Sequence, residues 1–218
     1  MTGFPGSPKL IRAGLVLISS ETGAVERIIT LQYTPETLSR QIEAQAMPDQ
    51  GNRAQPLRLR APAVETITMD AVIDATDQLE FPDRNQNTVE HGIFPALSAL
   101  ETMLHPTTAQ LNRQNTQAGA GSFEIAPAET PLALLVWSAS RIMPVLLKSL
   151  QITEEFFDPN LNPIRAKVSL SLRSLSVDDL GFNHRGSGLF MAYLQAKEQL
   201  ATKATPGSLD ALGAGGAL

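Results

Sequence analysis

No cysteine occurs in the 218 residues, so disulfides, thiolate nucleophiles and thiolate zinc sites are all excluded, and with them a secreted disulfide scaffold. Aromatic residues make up only 5% of the chain, with one tryptophan, so a core has to be built from aliphatic side chains. Basic residues are outnumbered, 17 against 22 acidic ones, and a net charge of -5 disfavours a general nucleic-acid-binding surface. Long apolar runs are also missing. The longest, residues 131–137 and 142–147, fall far short of the roughly 20 residues that cross a membrane. The first ten residues, MTGFPGSPKL, lack a basic region followed by an apolar one. The expectation is therefore a chain made in the cytosol without a signal peptide and without direct membrane insertion.

What is present is a globular composition, 43% hydrophobic, in a chain long enough to hide roughly 70% of its unfolded surface. Residues 9–19 (KLIRAGLVLIS) and 25–33 (VERIITLQY) flank a polar, glycine-containing turn and read as a β-hairpin. Residues 36–41 read as one helical turn, and 47–62, with three prolines, as a loop. Residues 64–75 alternate. Glu65, Ile67, Met69, Ala71 and Ile73 share an almost wholly apolar face, and Val64, Thr66, Thr68, Asp70, Val72 and Asp74 share the other. Within 88–105, Ile93, Leu97, Leu100 and Leu104 mark one helical face, with regular helix from about Phe94 and a stop at Pro106.

Residues 107–130 are polar and aperiodic and read as a long loop ordered by a partner. Three strands follow at 132–138, 141–157 and 164–175, the last alternating between Ile164, Ala166, Val168, Leu170, Leu172 and a polar, basic set. Residues 188–202 read as a helix, and 204–218 as a disordered tail rich in glycine and alanine. The expected fold is mainly β within the α+β class. It is a small antiparallel β-barrel of about six strands with one or two flanking helices, occupying 9–203 after an N-terminal arm of eight residues.

Charge is unevenly distributed. Residues 61–106 carry eight acids and Arg84 alone among bases, a net of -7, which leaves +2 for the rest of the chain. Opposed patches of this kind suit ring or stack assembly.

Candidate chemistry is thin. His91, His105 and His184 stand singly, and His105 suits a helix C-terminus better than catalysis. Asp70, Asp74 and Asp77 form the best carboxylate group, with Asp70 and Asp74 on one strand face, where paired acids can divide acid and base roles. Asp158, Asn160 and Asn162 imitate the start of a calcium loop. Pro163 stands where the loop needs glycine and Ser169 where it needs glutamate, so a type I turn with Pro159 in second place explains them better. Gly119 and Gly121 begin a GxG that fails at Glu124, and Trp137 belongs to the core or an interface. No catalytic, cofactor-binding or metal residue is assigned, and an enzyme is not expected.

Four stretches together carry a resemblance: GLVLISSETGAVERIITLQYTPETLSR, PAVETITMDAVIDATDQLE, GIFPALSALETMLHP, and LLVWSASRIMPVLLKSLQITEEFFDPNLNPIRAKVSLSLRSL. In order and content they resemble the N-terminal domain of contractile injection system tube proteins. Those belong to extracellular phage-tail-like particles such as the antifeeding prophage and the Photorhabdus virulence cassette. The resemblance covers roughly residues 8–200 and is most specific in LQYTPETLSR (31–40) and FDPNLNPIRAKVSLSLR (157–173). It implies a phage-tail tube-type barrel and a structural subunit. Such a subunit forms a hexameric ring that joins spike, hub and baseplate to the inner tube and initiates tube assembly.

The implied partners are copies of itself, the spike or hub protein, inner tube subunits, and baseplate and sheath components, with no nucleic acid. Longer relatives append a LysM module. The expectation here is that any such contact comes from another subunit. A small-ligand-binding barrel without catalysis is the alternative, and it requires an internal cavity of several hundred Å³.

Overall fold

The computed structural model describes residues 13–19, 22–31, 35–46, 58–119, 130–204 and 207. The proposed N-terminal arm and nearly all of the proposed tail lie outside them. The elements in chain order are β1 (Gly14–Ile18), β2 (Val25–Thr30), β3 (Leu38–Ala46), β4 (Leu59–Asp74), α1 (Thr76–Leu79), a 3-10 turn (Pro82–Arg84), α2 (Gln86–His91) and α3 (Phe94–Glu101). There follow a second 3-10 turn (Thr102–Leu104), α4 (Thr108–Gly119), β5 (Leu132–Ser138), β6 (Arg141–Phe157), β7 (Pro163–Ser174), α5 (Val177–Leu180) and α6 (Arg185–Ala201).

The strands make one seven-stranded sheet in the order β2-β1-β5-β6-β7-β4-β3, antiparallel at every pairing. Among the described residues β2 and β3 are its two edges, so the sheet is not closed on itself. Its centre is the long ladder of β6 and β7, joined by a turn in which Leu161 N–H donates to the Asp158 carbonyl at 2.9 Å.

The apolar face follows from period-two alternation. Ile67, Met69 and Ala71 of β4 line up with Leu172, Leu170 and Val168 of β7, and these in turn with Leu147, Leu150 and Ile152 of β6. Leu15, Leu17 and Leu135 extend the same core, and α3 closes it with the fully buried Leu97 and Leu100. At about 25 cal/mol per Å² of apolar surface removed from water, this face supplies the main folding drive. Gly92 ends α2 at φ +58°. A Cβ there would lie 2.1 Å from the Pro163 carbonyl oxygen, so glycine is what lets α2 and α3 close against the start of β7.

The other face changes character along the sheet. Over β1 and β5 it is apolar, with Ile18, Leu132 and Leu134 packed against Leu180 and Leu189 of α5 and α6. This is why the β5 run LALL is buried on both sides. Over β6, β7, β4 and β3 it is polar.

Several expectations need correction. Residues 36–41 are not a helical turn, because Leu38–Ala46 pairs along β4. β4 begins at Leu59, inside the span read as loop, because β3 gives its poorly buried first residues a partner despite Pro62. Regular helix does start at Phe94, as read, but it ends at Glu101 and passes into a 3-10 turn, and the residues before it form a separate helix, α2, ended at Gly92. The long loop read over 107–130 holds α4 over residues 108–119, and 120–129 lie outside the described residues. That helix buries nothing, so it carries no apolar stripe to read. Among the described residues the strands number seven rather than about six, and helices are more numerous than the one or two expected.

Candidate assembly surfaces

The polar face of β3, β4, β7 and β6 is set by register. Across the middle, Ser39, Thr68, Ser171 and Ser149 stand in one row, and Asp70, Ser169 and Gln151 in the next. Ser169 Oγ donates to Asp70 Oδ1 at 2.5 Å. Toward the C-terminal end of β4 the row is ionic. Asp74, Arg165 and Glu155 lie side by side, with Arg165 Nε 3.9 Å from Asp74 and 3.5 Å from Glu155, and Lys167 Nζ 2.8 Å from Glu155. Only the lysine contact is short enough for a hydrogen bond. At the opposite end Arg173 bonds Asp179 at 2.7 Å. Burial pushes the Asp179 carboxyl up. Bonds from the Ser176 amide, Arg173 and the Ser176 hydroxyl outweigh it and leave that carboxyl below its ordinary value.

A buried ionic group lies on the apolar side. Glu65 is 4% exposed. It takes Arg40 Nε at 2.6 Å from β3 and Lys197 Nζ at 2.8 Å from α6, and the Tyr193 hydroxyl lies 3.4 Å from both carboxylate oxygens. Lys197 also sits 4.2 Å from the centre of the Tyr193 ring. Burial pushes the Glu65 carboxyl up, but the two cations outweigh burial and hold it below the usual range. The Arg40 guanidinium is raised, first by its bond to Glu65. This group ties the C-terminal helix to the edge of the sheet. Sequence reading passed over it, although Glu65 is visible there as the one acid on the apolar face of β4.

The aspartates singled out from the sequence are not brought to one point. Asp70 and Asp74 do share a face, but four residues of strand separate them by about 13 Å. Asp70 is engaged by Ser169, Asp74 by Thr76 and Arg165, and Asp77 stands apart on α1. Among the described residues no three of His, Asp and Glu gather as a metal site. His91 lies exposed at the end of α2, 3.8 Å from Glu90, and His105 follows the second 3-10 turn, lining a shallow cleft with Arg27. His184 caps α6, its Nδ1 accepting the Gly186 amide at 3.1 Å.

The Asp158 turn is closed by bonds to the Asp158 carboxylate. Asp158 Oδ1 accepts the amides of Asn160 and Asn162 at 2.8 Å each, and Oδ2 takes the Asn162 side chain at 2.8 Å. The Asn162 side-chain bond, with these amides, lowers the Asp158 carboxyl. Trp137 is half-buried against the core. Gly119 ends α4, while Gly121 and Glu124 lie outside the described residues.

Apolar side chains left in water cluster where strands end or go unpaired. Val25 and Ile28 are exposed on the β2 edge, Ile42 and Leu59 on the β3–β4 hairpin, and Phe156, Phe157 and Leu161 at the β6–β7 turn. A cleft of about 840 Å³ opens on the surface between the end of β2 and α1 to α3. Ile29, Ile73, Ile93 and Leu100 form its apolar part, and Asp77 and Glu80 lie on its wall. No helix among the described residues is long and apolar enough to cross a membrane.

A family model described as contractile injection system tube protein matches residues 16–181. Among solved structures, a chain from the tail of an empty GTA particle, computed with helical refinement and C6 symmetry, is 14% identical, with a TM-score of 0.30. A chain from the virion of a native gene transfer agent particle is 11% identical, with a TM-score of 0.27. Each alignment covers 74% of this chain and 90% of the other. A likeness at these scores does not establish a shared fold. No curated protein matches the chain.

Proposed function

The match over residues 16–181 takes in well over half of the sequence, so the chain belongs to the contractile injection system tube protein family, and we propose that it is a non-enzymatic ring subunit of the tube. In this reading six copies form a ring that joins the spike or hub and the baseplate to the inner tube and starts tube growth, with sheath components outside. The sheet curls into a tube-type barrel in that setting. The chain is made in the cytosol and ends in the injection particle.

The observation that carries this reading is the pair of open sheet edges. Among the described residues β2 and β3 are paired on one side only, and β2 adds exposed Val25 at 56% and Ile28 at 65%. Such edges are a liability in a monomer and are relieved when a neighbour covers them. The polar face fits a wet lumen, because its charges are paired among themselves and its middle is hydroxyl-lined. Obligate contacts of this kind bury on the order of 2,000 Å² or more per interface.

The test is the size of the purified full chain by light scattering and electron microscopy, alone and with tube and hub proteins. Rings of six 23.4 kDa subunits are expected. A chain that remains monomeric at high concentration and joins no ring with those partners overturns the proposal.

A further inference from the structure

The chain enters the sheet beside an open cleft. Ala13 is buried, and its carbonyl accepts the Leu31 amide at 2.9 Å, so the ladder of β1 and β2 runs to the first described residue. Leu31 lines the surface cleft of about 840 Å³ between the end of β2 and α1 to α3. β1 runs away from that cleft, because Gly14 faces Thr30 and Ile18 faces Val25. The residues that precede Ala13 therefore begin at the cleft's mouth.

The cleft has apolar surface and charge to spare. Phe81, on its wall, is 52% exposed, and Ile73, on its floor, is half-buried. Asp77 and Glu80 are exposed and have no ion-pair partner among the described residues. The one basic lining residue, Arg84, lies 5.8 Å from the Phe81 ring centre. An apolar floor beside an acidic wall fits a peptide that is apolar and basic.

Residues 1–12, MTGFPGSPKLIR, have that composition. Met1, Phe4, Leu10 and Ile11 are apolar, Lys9 and Arg12 are basic, and no acid occurs among them. Ala13, Leu15 and Leu17 belong to the core together with Ile29 and Leu31. Period-two alternation assigns Ile11, and Lys9 before it, to the same side. Such a segment reaches at most about 40 Å from Ala13, which spans a cleft that opens beside it. A short tether also holds it there at an effective concentration of roughly millimolar, which a separate copy in dilute solution does not match.

We infer that residues 1–12 dock in the cleft of their own chain, with Ile11 over the apolar floor and Lys9 against Asp77 and Glu80. The segment then braces α1 to α3 against the end of β2. This contact lies within one subunit, so it does not depend on the ring reading.

A chain without cysteine allows a direct test on the full sequence. Ser7→Cys with Asn87→Cys places one thiol on the segment and one on the cleft wall. A control pair, Ser7→Cys with Ser140→Cys, uses the β5–β6 turn at the same end of the sheet. In dilute oxidising solution the 7–87 link is expected to form within one chain, about tenfold or more faster than the 7–140 link, because docking raises the local concentration at one site only. Ile11→Asp should slow it by about tenfold, since it sets a carboxylate on an apolar floor beside two acids. Lys9→Glu should slow it by about fivefold, and Asp77→Lys with Glu80→Lys in the same chain should restore it, since opposite charges meet again.

Equal rates at 87 and 140 overturn the inference, as does a 7–87 rate indifferent to both Ile11→Asp and Lys9→Glu. A link that forms only between chains, seen when the two single-cysteine variants are mixed, also overturns it and assigns the cleft to a second copy. A chain that links as expected yet never forms rings sustains this inference while removing the ring reading, so the two failures are told apart.

Discussion

Two ionic groups sit on opposite faces of the same strand and do different work. Glu65 faces the core, with its side chain 6% exposed, and its partners Arg40 and Lys197 are 25% and 34% exposed. Asp74, Arg165, Glu155 and Lys167 face the polar side, where Lys167 is 60% exposed. Removing a carboxylate from water is costly, and the inner group stays ionised only because two cations and a phenol answer it. In the outer group Asp74 and Glu155 are only 16% and 26% exposed, but Lys167 is largely solvated and its pairing gains little, because water and salt screen it. The inner group therefore acts as a tether between the sheet edge and α6, and the outer one as a surface whose charges cancel.

The comparison breaks first at Arg40. Arg40→Ala leaves a buried carboxylate with Lys197 as its one remaining cation. A loss of about 2 kcal/mol is expected, below the range for a wholly unpaired buried charge because half the compensation survives. Glu65→Gln should cost less, about 1 kcal/mol, since both stranded cations reach water by a change of rotamer. Denaturant melts of the two variants check the order, and a larger loss for Glu65→Gln would mean that the cations, not the carboxylate, are the buried partners.

Acid sharpens the same contrast. The Glu65 and Asp179 carboxyls are held below their ordinary values in the folded chain. Each therefore contributes stability that is whole above its unfolded value, about 4 for such groups, and that is lost as pH falls through the lowered folded value. The stability gap between wild type and Glu65→Gln should stay flat from pH 7 to about 5 and close at more acidic pH. A gap that persists undiminished at pH 2 would show that Glu65 stabilises by shape rather than charge.

How much of this was legible from the chain alone depends on which signal each element carries. β4 and β7 announce themselves by alternation, and β5 by an unbroken apolar run. β3 does not, because LSRQIEAQA lies mostly in water on both faces and becomes a strand only through β4. α4 is silent for the same reason. The tether shows one member in the sequence, the acid on the apolar face of β4. Its partners stand 25 and 132 residues away, joined by a strand order that no local pattern encodes. The acidic character of residues 61–106 was plain by count. That Asp77 and Glu80 border an apolar cleft while Asp74 is spent on Thr76 and Arg165 required coordinates.

The smallest effect belongs to the outer group and is the most diagnostic of its role. Lys167→Ala removes the 2.8 Å contact to Glu155, yet Arg165 remains 3.5 Å from the same carboxylate, and Lys167 is largely solvated before the change. The cost to folding should be no more than about 0.5 kcal/mol and should fall further in 1 M salt, where screening acts within about 3 Å. The loss in assembled material is expected to be equally slight if this face borders a water-filled channel, because no neighbour rests on it. A sharp fall in ring yield with an unchanged melting curve would place Lys167 in a contact between subunits. The polar face would then have to be reassigned from conduit to interface.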